Sequence, residues 1–312
     1  MKVMVVAKYG RHGFAPFVQE QVDALRQQGV DVTTFAVKGR GIGGYLHNIK
    51  PLKKALQAVA PDLMHAHYGL CGLLCNMQRG VPVITTYHGS DINDWHIRQL
   101  SKISIWFSVA NIFVSDALLH MVRYRRRAYV QPCGVDTTLF YPIDKTEARK
   151  RLGLDSKHHI VLFASSYTNA VKSPNLAKEA VAGLNDSNVC LIELNNYSRA
   201  EVALLLNAAD VLLLTSKHEG SPQVVKEAMA VGCPIVSVDV GDVRKQIADT
   251  GNNYVSATRS STELTSLLRK VLKNNQRSNG REKLIKNGLT NEAVAQSLCR
   301  IFQQAINDNI QH

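Results

Sequence analysis

The chain has 312 residues and a mass of 34.5 kDa, room for two domains of ordinary size. With 45% hydrophobic and 20% charged residues, and only 20 glycines and 9 prolines, it is neither disordered nor collagenous. The formal charge is +12, unevenly spread: residues 1–141 hold 16 basic and 8 acidic side chains, the remainder 21 and 17, a balance that admits nucleic acid, an anionic membrane surface or phosphorylated small molecules as partners.

Residues 2–7 (KVMVVA) form a continuous apolar run that predicts a buried parallel strand. A loop from Lys8 to Phe14 follows, then a helix from Pro16 with Phe17, Val18, Val22 and Leu25 at helical spacing, stopped at Gly29, and a second strand over 30–37. Gly39 to Gly44 reads as a flexible loop, because no helix start follows where a dinucleotide fingerprint needs one. A helix over 51–60 and strands over 62–67, 81–86 and 110–115 continue the alternation, which is that of a doubly wound parallel sheet.

The pattern restarts after Gln131–Asp136 and the polar segment 144–157, with strands expected at 159–164, 189–192, 209–214 and 234–238. The last segment, 292–310, has Val294, Leu298, Ile301, Phe302 and Ile306 on one helical face and no strand after it. The expected fold class is therefore α/β, two tandem Rossmann-like domains with a cleft between them. The boundaries are 1–141 and 142–290, with 291–312 as a closing helix packing back toward the first domain.

No apolar stretch reaches the roughly 18 residues of a membrane span, and the opening run breaks at Lys8, too early for a signal peptide. The six cysteines form no CxxC pair and lie mostly in apolar runs, so reduced thiols are expected, without disulfide or zinc. A cytoplasmic location follows.

Open α/β sheets bind ligands at the carboxyl ends of their strands, so the residues just past each apolar run carry the information. The strongest signal is Ser216–Pro234 (SKHEGSPQVVKEAMAVGCP). It leaves a strand, turns through Gly220-Ser221-Pro222 and enters a helix near Gln223, which directs unpaired backbone N–H groups at an anion. Glu219 in the loop and Glu227 in the helix place two carboxylates where one ligand's hydroxyls can donate to both. His65 and His67 face the same side of their strand, but no third metal ligand is evident, so strand-end packing or pocket lining is expected and no metal. Arg123–Arg127 (RYRRR) is a basic cluster that reads as a plainly solvated surface, or as a patch for nucleic acid or lipid headgroups.

The 216–234 run resembles the signature of the retaining glycosyltransferases of family 4, which share the two-Rossmann GT-B fold. The similarity extends along the chain: Asp62–Gly69 resembles the family's Asp-x-x-His-x-His-x-Gly strand end. Thr86–Asp91 resembles its Thr-x-His-Gly-x-Asp loop, Cys133–Phe140 its interdomain linker, and Lys172-Ser173-Pro174 its Lys-x-Pro region.

The resemblance implies catalytic roles for Glu219, Lys172 and His88. It implies donor binding by Gly13, Ser166, Gly220, Ser221, Pro222, Val224 and Glu227, with Glu227 on the ribose and Lys172 on the diphosphate. Asp91 and His67 fall on the acceptor side. Where the family often has an arginine before the lysine, this chain reads Ala164-Ser165-Ser166-Tyr167-Thr168, which leaves hydroxyl donors there.

The implied activity is transfer of a sugar from a nucleotide-diphosphate sugar to a hydroxyl acceptor with retention, in cell-surface polysaccharide or lipid-linked glycan synthesis. The acceptor is a glycan or lipid-linked molecule, with no cofactor, no metal and no nucleic acid. The basic first half adds an anionic membrane surface as a partner, and peripheral attachment at the inner face of the membrane. A GT-B binding protein without turnover and a nonhydrolysing sugar-nucleotide epimerase are the alternatives.

Overall fold

The computed structural model describes residues 1–10, 13–39, 41–122 and 127–310. Arg123, Arg125 and Arg126 of the basic cluster, and Arg11 and His12 of the first loop, lie outside the described residues. The chain divides into two units, Met1–Gly134 with Asn291–His312, and Val135–Thr290.

The first unit is built on six parallel strands: β1 (Lys2–Lys8), β2 (Asp31–Val37), β3 (Leu63–His67), β4 (Val83–Tyr87), β5 (Ala110–Phe113) and β6 (Ala128–Val130). Their order is β2-β1-β3-β4-β5-β6. The second unit has five, β7 (His159–Phe163), β8 (Val189–Glu193), β9 (Val211–Leu214), β10 (Ile235–Val238) and β11 (Asn253–Ser256), in the order β11-β10-β9-β7-β8. Both orders are the doubly wound pattern in which the chain builds outward on one side and then crosses to the other. The crossing points lie between β1 and β3 and between β7 and β9, and ligands of such sheets bind beyond the carboxyl ends of those strands.

Helices on both faces cover the sheets, so the inner strands β3, β4 and β9 are buried at every residue. This is why β9, VLLL, is a continuous apolar run, whereas β3 (LMHAH) and β4 (VITTY) also bury polar side chains, of which His65 and Thr86 bond to each other at 2.8 Å. β6 and β11 are edge strands and only partly buried, and their sequences AYV and NYVS carry no such run, so the sequence reading missed both. Residues 39–44 hold no simple loop: Gly41–Leu46 is a short helix whose entry requires glycine, since a Cβ on Gly39 would lie 2.7 Å from Gly44 Cα. Three glycines in its six residues argue against a helix by propensity, and the close approach of Gly39 to Gly44 overrides it.

The division falls at 134/135 rather than 141/142, because Val135 and Phe140 are fully buried in the second core, among Val161, Leu212 and Met229. The helix Asn291–Ile310 completes the first core: Val294, Leu298 and Phe302 pack with Val3, Val5, Val18 and Leu25.

Close backbone packing also shapes the first unit. The helix Gly69–Cys75 meets the helix Trp95–Phe107 through glycines, and a Cβ on Gly72 would lie 2.2 Å from Ser104 Oγ. In the second unit, Arg149 is 2.7 Å from Asp210, beside Lys145 at 2.9 Å. Burial works against the Asp210 charge, but the Ile160 amide and these two cations outweigh it and hold the carboxyl below its ordinary range.

Candidate active site

At the β7/β9 crossing two loops are stitched together. After β7 the chain turns through the 3-10 segment Ala170–Lys172, where the Asn169 side chain accepts from the Val171 amide at 3.2 Å, and Ser173 adopts a left-handed φ of 50° before the helix Pro174–Ala182. The Lys217 amide donates to Val171 O at 2.8 Å, and Thr215 Oγ1 donates to Lys172 O at 2.7 Å. Arg259 adds a brace, donating to the carbonyls of Ser216 at 2.6 Å and Thr215 at 2.8 Å and to Ser173 Oγ at 3.1 Å. This stitching brings Lys172 Nζ to 2.5 Å from Glu219 Oε1, in a partly enclosed setting where the pair is screened less than at a surface.

Glu219 leads into Gly220-Ser221-Pro222 and the helix Gln223–Val231, whose N-terminus has no side-chain cap. The first-turn amides of such a helix favour an anion. Gly220 is buried, and Gly241, at φ 59°, supports it so closely that a Cβ on Gly241 would lie 2.8 Å from Gly220 O. Ser221 Oγ accepts from Gln246 Nε2 at 3.0 Å, and Gln246 also donates to Asp242 at 2.7 Å, whose carboxyl is pushed up by burial.

Pro222 is buried and Val224 packs against the second core, so both shape the turn. Glu227, only 3% exposed, accepts from Arg199 at 2.7 Å, and the Arg199 guanidinium lies 4.7 Å from the Phe140 ring. Ser166 closes a turn after β7, its Oγ 2.9 Å from Thr168 Oγ1, and makes no bond to the Lys172–Glu219 pair.

In the first unit, polar residues gather at the carboxyl ends of β3 and β4. His65 Nε2 is 2.8 Å from Thr86 Oγ1, His67 Nδ1 is 3.0 Å from His88 Nε2, and His88 Nδ1 lies 3.7 Å from Cys133 Sγ. Burial keeps both strand histidines neutral, lowering His65 well below its ordinary value and His67 to about 3. His67 is fully enclosed and packs at the strand end, its ring nitrogen facing His88. No group of three potential metal ligands occurs among the described residues.

Asp91 is buried and accepts three backbone N–H groups, from His88 at 3.1 Å, Gly89 at 2.9 Å and Gly69 at 3.1 Å. Burial nevertheless dominates and raises its carboxyl to about 6. Asp91 also lines a cavity of about 600 Å³ with Lys8, Gly13, Tyr68 and Ser90. Gly13, at φ 106°, takes the Gly10 amide on its carbonyl at 2.8 Å, a conformation open to glycine. His88 does not line this cavity; its ring packs between Phe17 and Tyr68, at 4.7 and 4.8 Å.

The structure thus gathers Glu219, Lys172, Gly220, Ser221 and Pro222 at one end of the second sheet, with Glu227 on the adjoining helix, and Gly13 and Asp91 in one cavity of the first unit. Sequence reading missed Arg199, Arg259, Gln246 and Tyr68. The first three act through distant partners, and only the motif positions of those partners hinted at them; Tyr68 lies within the Asp62–Gly69 run and lines the cavity itself.

Two doubly wound units in tandem, with polar loops at the strand ends, define the GT-B class. The model for glycosyltransferase family 4 matches residues 12–139, and the model for glycosyl transferases group 1 matches residues 188–290. The chain belongs to this glycosyltransferase family.

The putative teichuronic acid biosynthesis glycosyltransferase TuaC of Bacillus subtilis is 26% identical over 65% of this chain and 62% of its own length. The chain spans about three fifths of the length of such curated relatives. Sucrose-phosphate synthase from Thermosynechococcus elongatus shares the fold with a TM-score of 0.83 at 16% identity, over 99% of this chain and 100% of that one. Anabaena HepE, solved in complex with UDP, has a TM-score of 0.76 at 15% identity, over 97% of this chain and 100% of that one.

Proposed function

We propose that this protein transfers a sugar from a nucleotide-diphosphate sugar to a hydroxyl acceptor with retention of configuration and without a metal ion. The observation that carries the reading is the Lys172–Glu219 pair, 2.5 Å apart beside an uncapped helix N-terminus. As the sugar–phosphate bond breaks, negative charge builds on the leaving diphosphate. Lys172 and the first-turn amides supply the compensating positive charge that a metal ion supplies elsewhere.

Glu219 holds Lys172 in place before the donor arrives and then accepts from the sugar's hydroxyls, while Glu227, steadied by Arg199, accepts from the ribose hydroxyls. No side chain of the site is assigned as a nucleophile. The leaving phosphate takes the acceptor's proton on the same face from which it departs, and the protein contributes position and electrostatics. The first unit receives the acceptor in the Asp91 cavity.

Glycan assembly on a lipid carrier is the setting favoured by the relative in teichuronic acid biosynthesis and by the basic first half. No helix among the described residues is long and apolar enough to cross a membrane, and attachment at its cytoplasmic face through anionic lipids fits the charge. Product stereochemistry tests the mechanism: nuclear magnetic resonance of the fresh product should show the donor's anomeric configuration, with turnover unchanged by a chelator. An inverted anomer or a chelator-sensitive rate contradicts it.

A further inference from the structure

Two cavities of the first unit meet at Tyr45 and Leu70, which line both. The larger is the Asp91 cavity. The smaller, about 110 Å³, is walled by Leu46, Leu73, Leu74, Met77 and Leu100, and no charged or amide side chain lines it. A space so lined offers water no hydrogen-bond partners and favours hydrocarbon instead. Leu46 and Met77 beside it are 54% and 57% exposed, two large apolar side chains left in water where a ligand would cover them.

The adjoining surface has a matching chemistry. The helix that contributes Leu100 presents Trp95, Ile103 and Trp106 to solvent, residues whose spacing puts them on one face together with Lys102. Phe107 lies 4.0 Å under the Arg79 guanidinium. From residue 32 to 115 the sequence holds eight Lys or Arg against three Asp and no Glu. Exposed tryptophans among cations, with few acids, suit the anionic interface of a bilayer, where indole rings sit at headgroup depth.

We propose that the groove between the helices Gly41–Leu46, Gly69–Cys75 and Trp95–Phe107 holds the hydrocarbon chain of a membrane-borne acceptor, whose polar head occupies the Asp91 cavity. The inference rests on reading that cavity as the acceptor site. Continuity decides the orientation: the two spaces share Tyr45 and Leu70, so one amphiphilic molecule spans both. The chain enters from the bilayer against which Trp95 and Trp106 rest.

Titration of the full chain with butyl, octyl and dodecyl phosphate, each below its micelle-forming concentration, tests this by calorimetry. Affinity should climb by up to about fourfold per methylene until the groove is filled. Leu73→Gln and Met77→Glu should each weaken dodecyl phosphate at least tenfold while leaving butyl phosphate unchanged, and Met77 is exposed enough for its variant to fold. Equal affinity along the series, or a series indifferent to both variants, overturns the proposal.

Pelleting with phosphatidylglycerol vesicles but not with phosphatidylcholine vesicles, reduced by Trp106→Ser, supports the bilayer as the chain's source. No pelleting with either composition overturns that source. Sugar transfer to a short soluble acceptor, measured alongside, separates the two readings. Transfer without chain-length dependence overturns the groove alone, whereas chain-length-dependent binding without transfer under any donor upholds the groove and overturns the transferase reading.

Discussion

Arg199 secures Glu227: its guanidinium donates to Glu227 Oε1 at 2.7 Å and rests on the Phe140 ring. A carboxylate this deeply buried needs a partner, because its desolvation is otherwise uncompensated. The arginine that the family often carries before the lysine is absent here, and the second unit places this one against the other carboxylate of the motif.

Arg199→Ala should therefore lower stability by about 1–3 kcal/mol, less than for a fully buried pair because Arg199 is partly exposed. It should also weaken nucleotide binding. Glu227→Gln should weaken nucleotide binding too, yet cost less stability, since no charge is left alone. Denaturant unfolding and nucleotide titration check both, and equal stability losses for the two variants would contradict the account.

Gly241→Ala should disturb the Glu219–Ser221 turn. A Cβ there would lie 2.8 Å from Gly220 O on a left-handed backbone, a conformation that alone costs a non-glycine residue about 1–2 kcal/mol. The melting temperature should fall and donor affinity with it. An unchanged melting temperature would show that the two loops are not packed as described.

Asp91 gives a pH signature of defined sign. Burial raises its carboxyl to about 6 from an ordinary 3.8, so between these values the folded state binds more protons than the unfolded one. Stability from this group is fully present below about pH 4 and is lost as pH rises through 6, an effect of about 3 kcal/mol. Asp91→Asn should remove that slope, which denaturation curves across the range would reveal. An unaltered slope would contradict the burial assignment.

His65 and His67 act in the opposite sense. Burial holds both below the ordinary histidine value, so stability is present above pH 6.5 and falls as pH drops, down to about 3 for His67. His67→Gln should shallow the acid limb of the unfolding profile. A steeper limb would contradict the neutral assignment.

The inner strands were legible because burial on both faces writes a continuous apolar run into the sequence, as in Val3–Ala7 and Val211–Leu214. Edge strands β6 and β11 lack that constraint, and the helix at Gly41 arises from a backbone approach that no periodicity encodes. In the site, Glu219, Gly220, Ser221 and Glu227 were legible as one run because a strand, a turn and a helix bring them together locally. Arg199, Arg259 and Gln246 reach the same place from other elements, and only the folded chain joins them. The motif marks His67, and only the folded chain shows that it is buried against His88.

The central claim is that Lys172 and its loops stabilise a departing nucleoside diphosphate. Release of nucleoside diphosphate from a panel of nucleotide sugars, in the presence of lipid-linked acceptors, measures this directly. The account predicts release with at least one donor, a fall of about 10²–10³-fold in kcat for Lys172→Ala, as for loss of one transition-state charge partner, and a comparable loss for Glu227→Ala. Release that persists unchanged in both variants would contradict it.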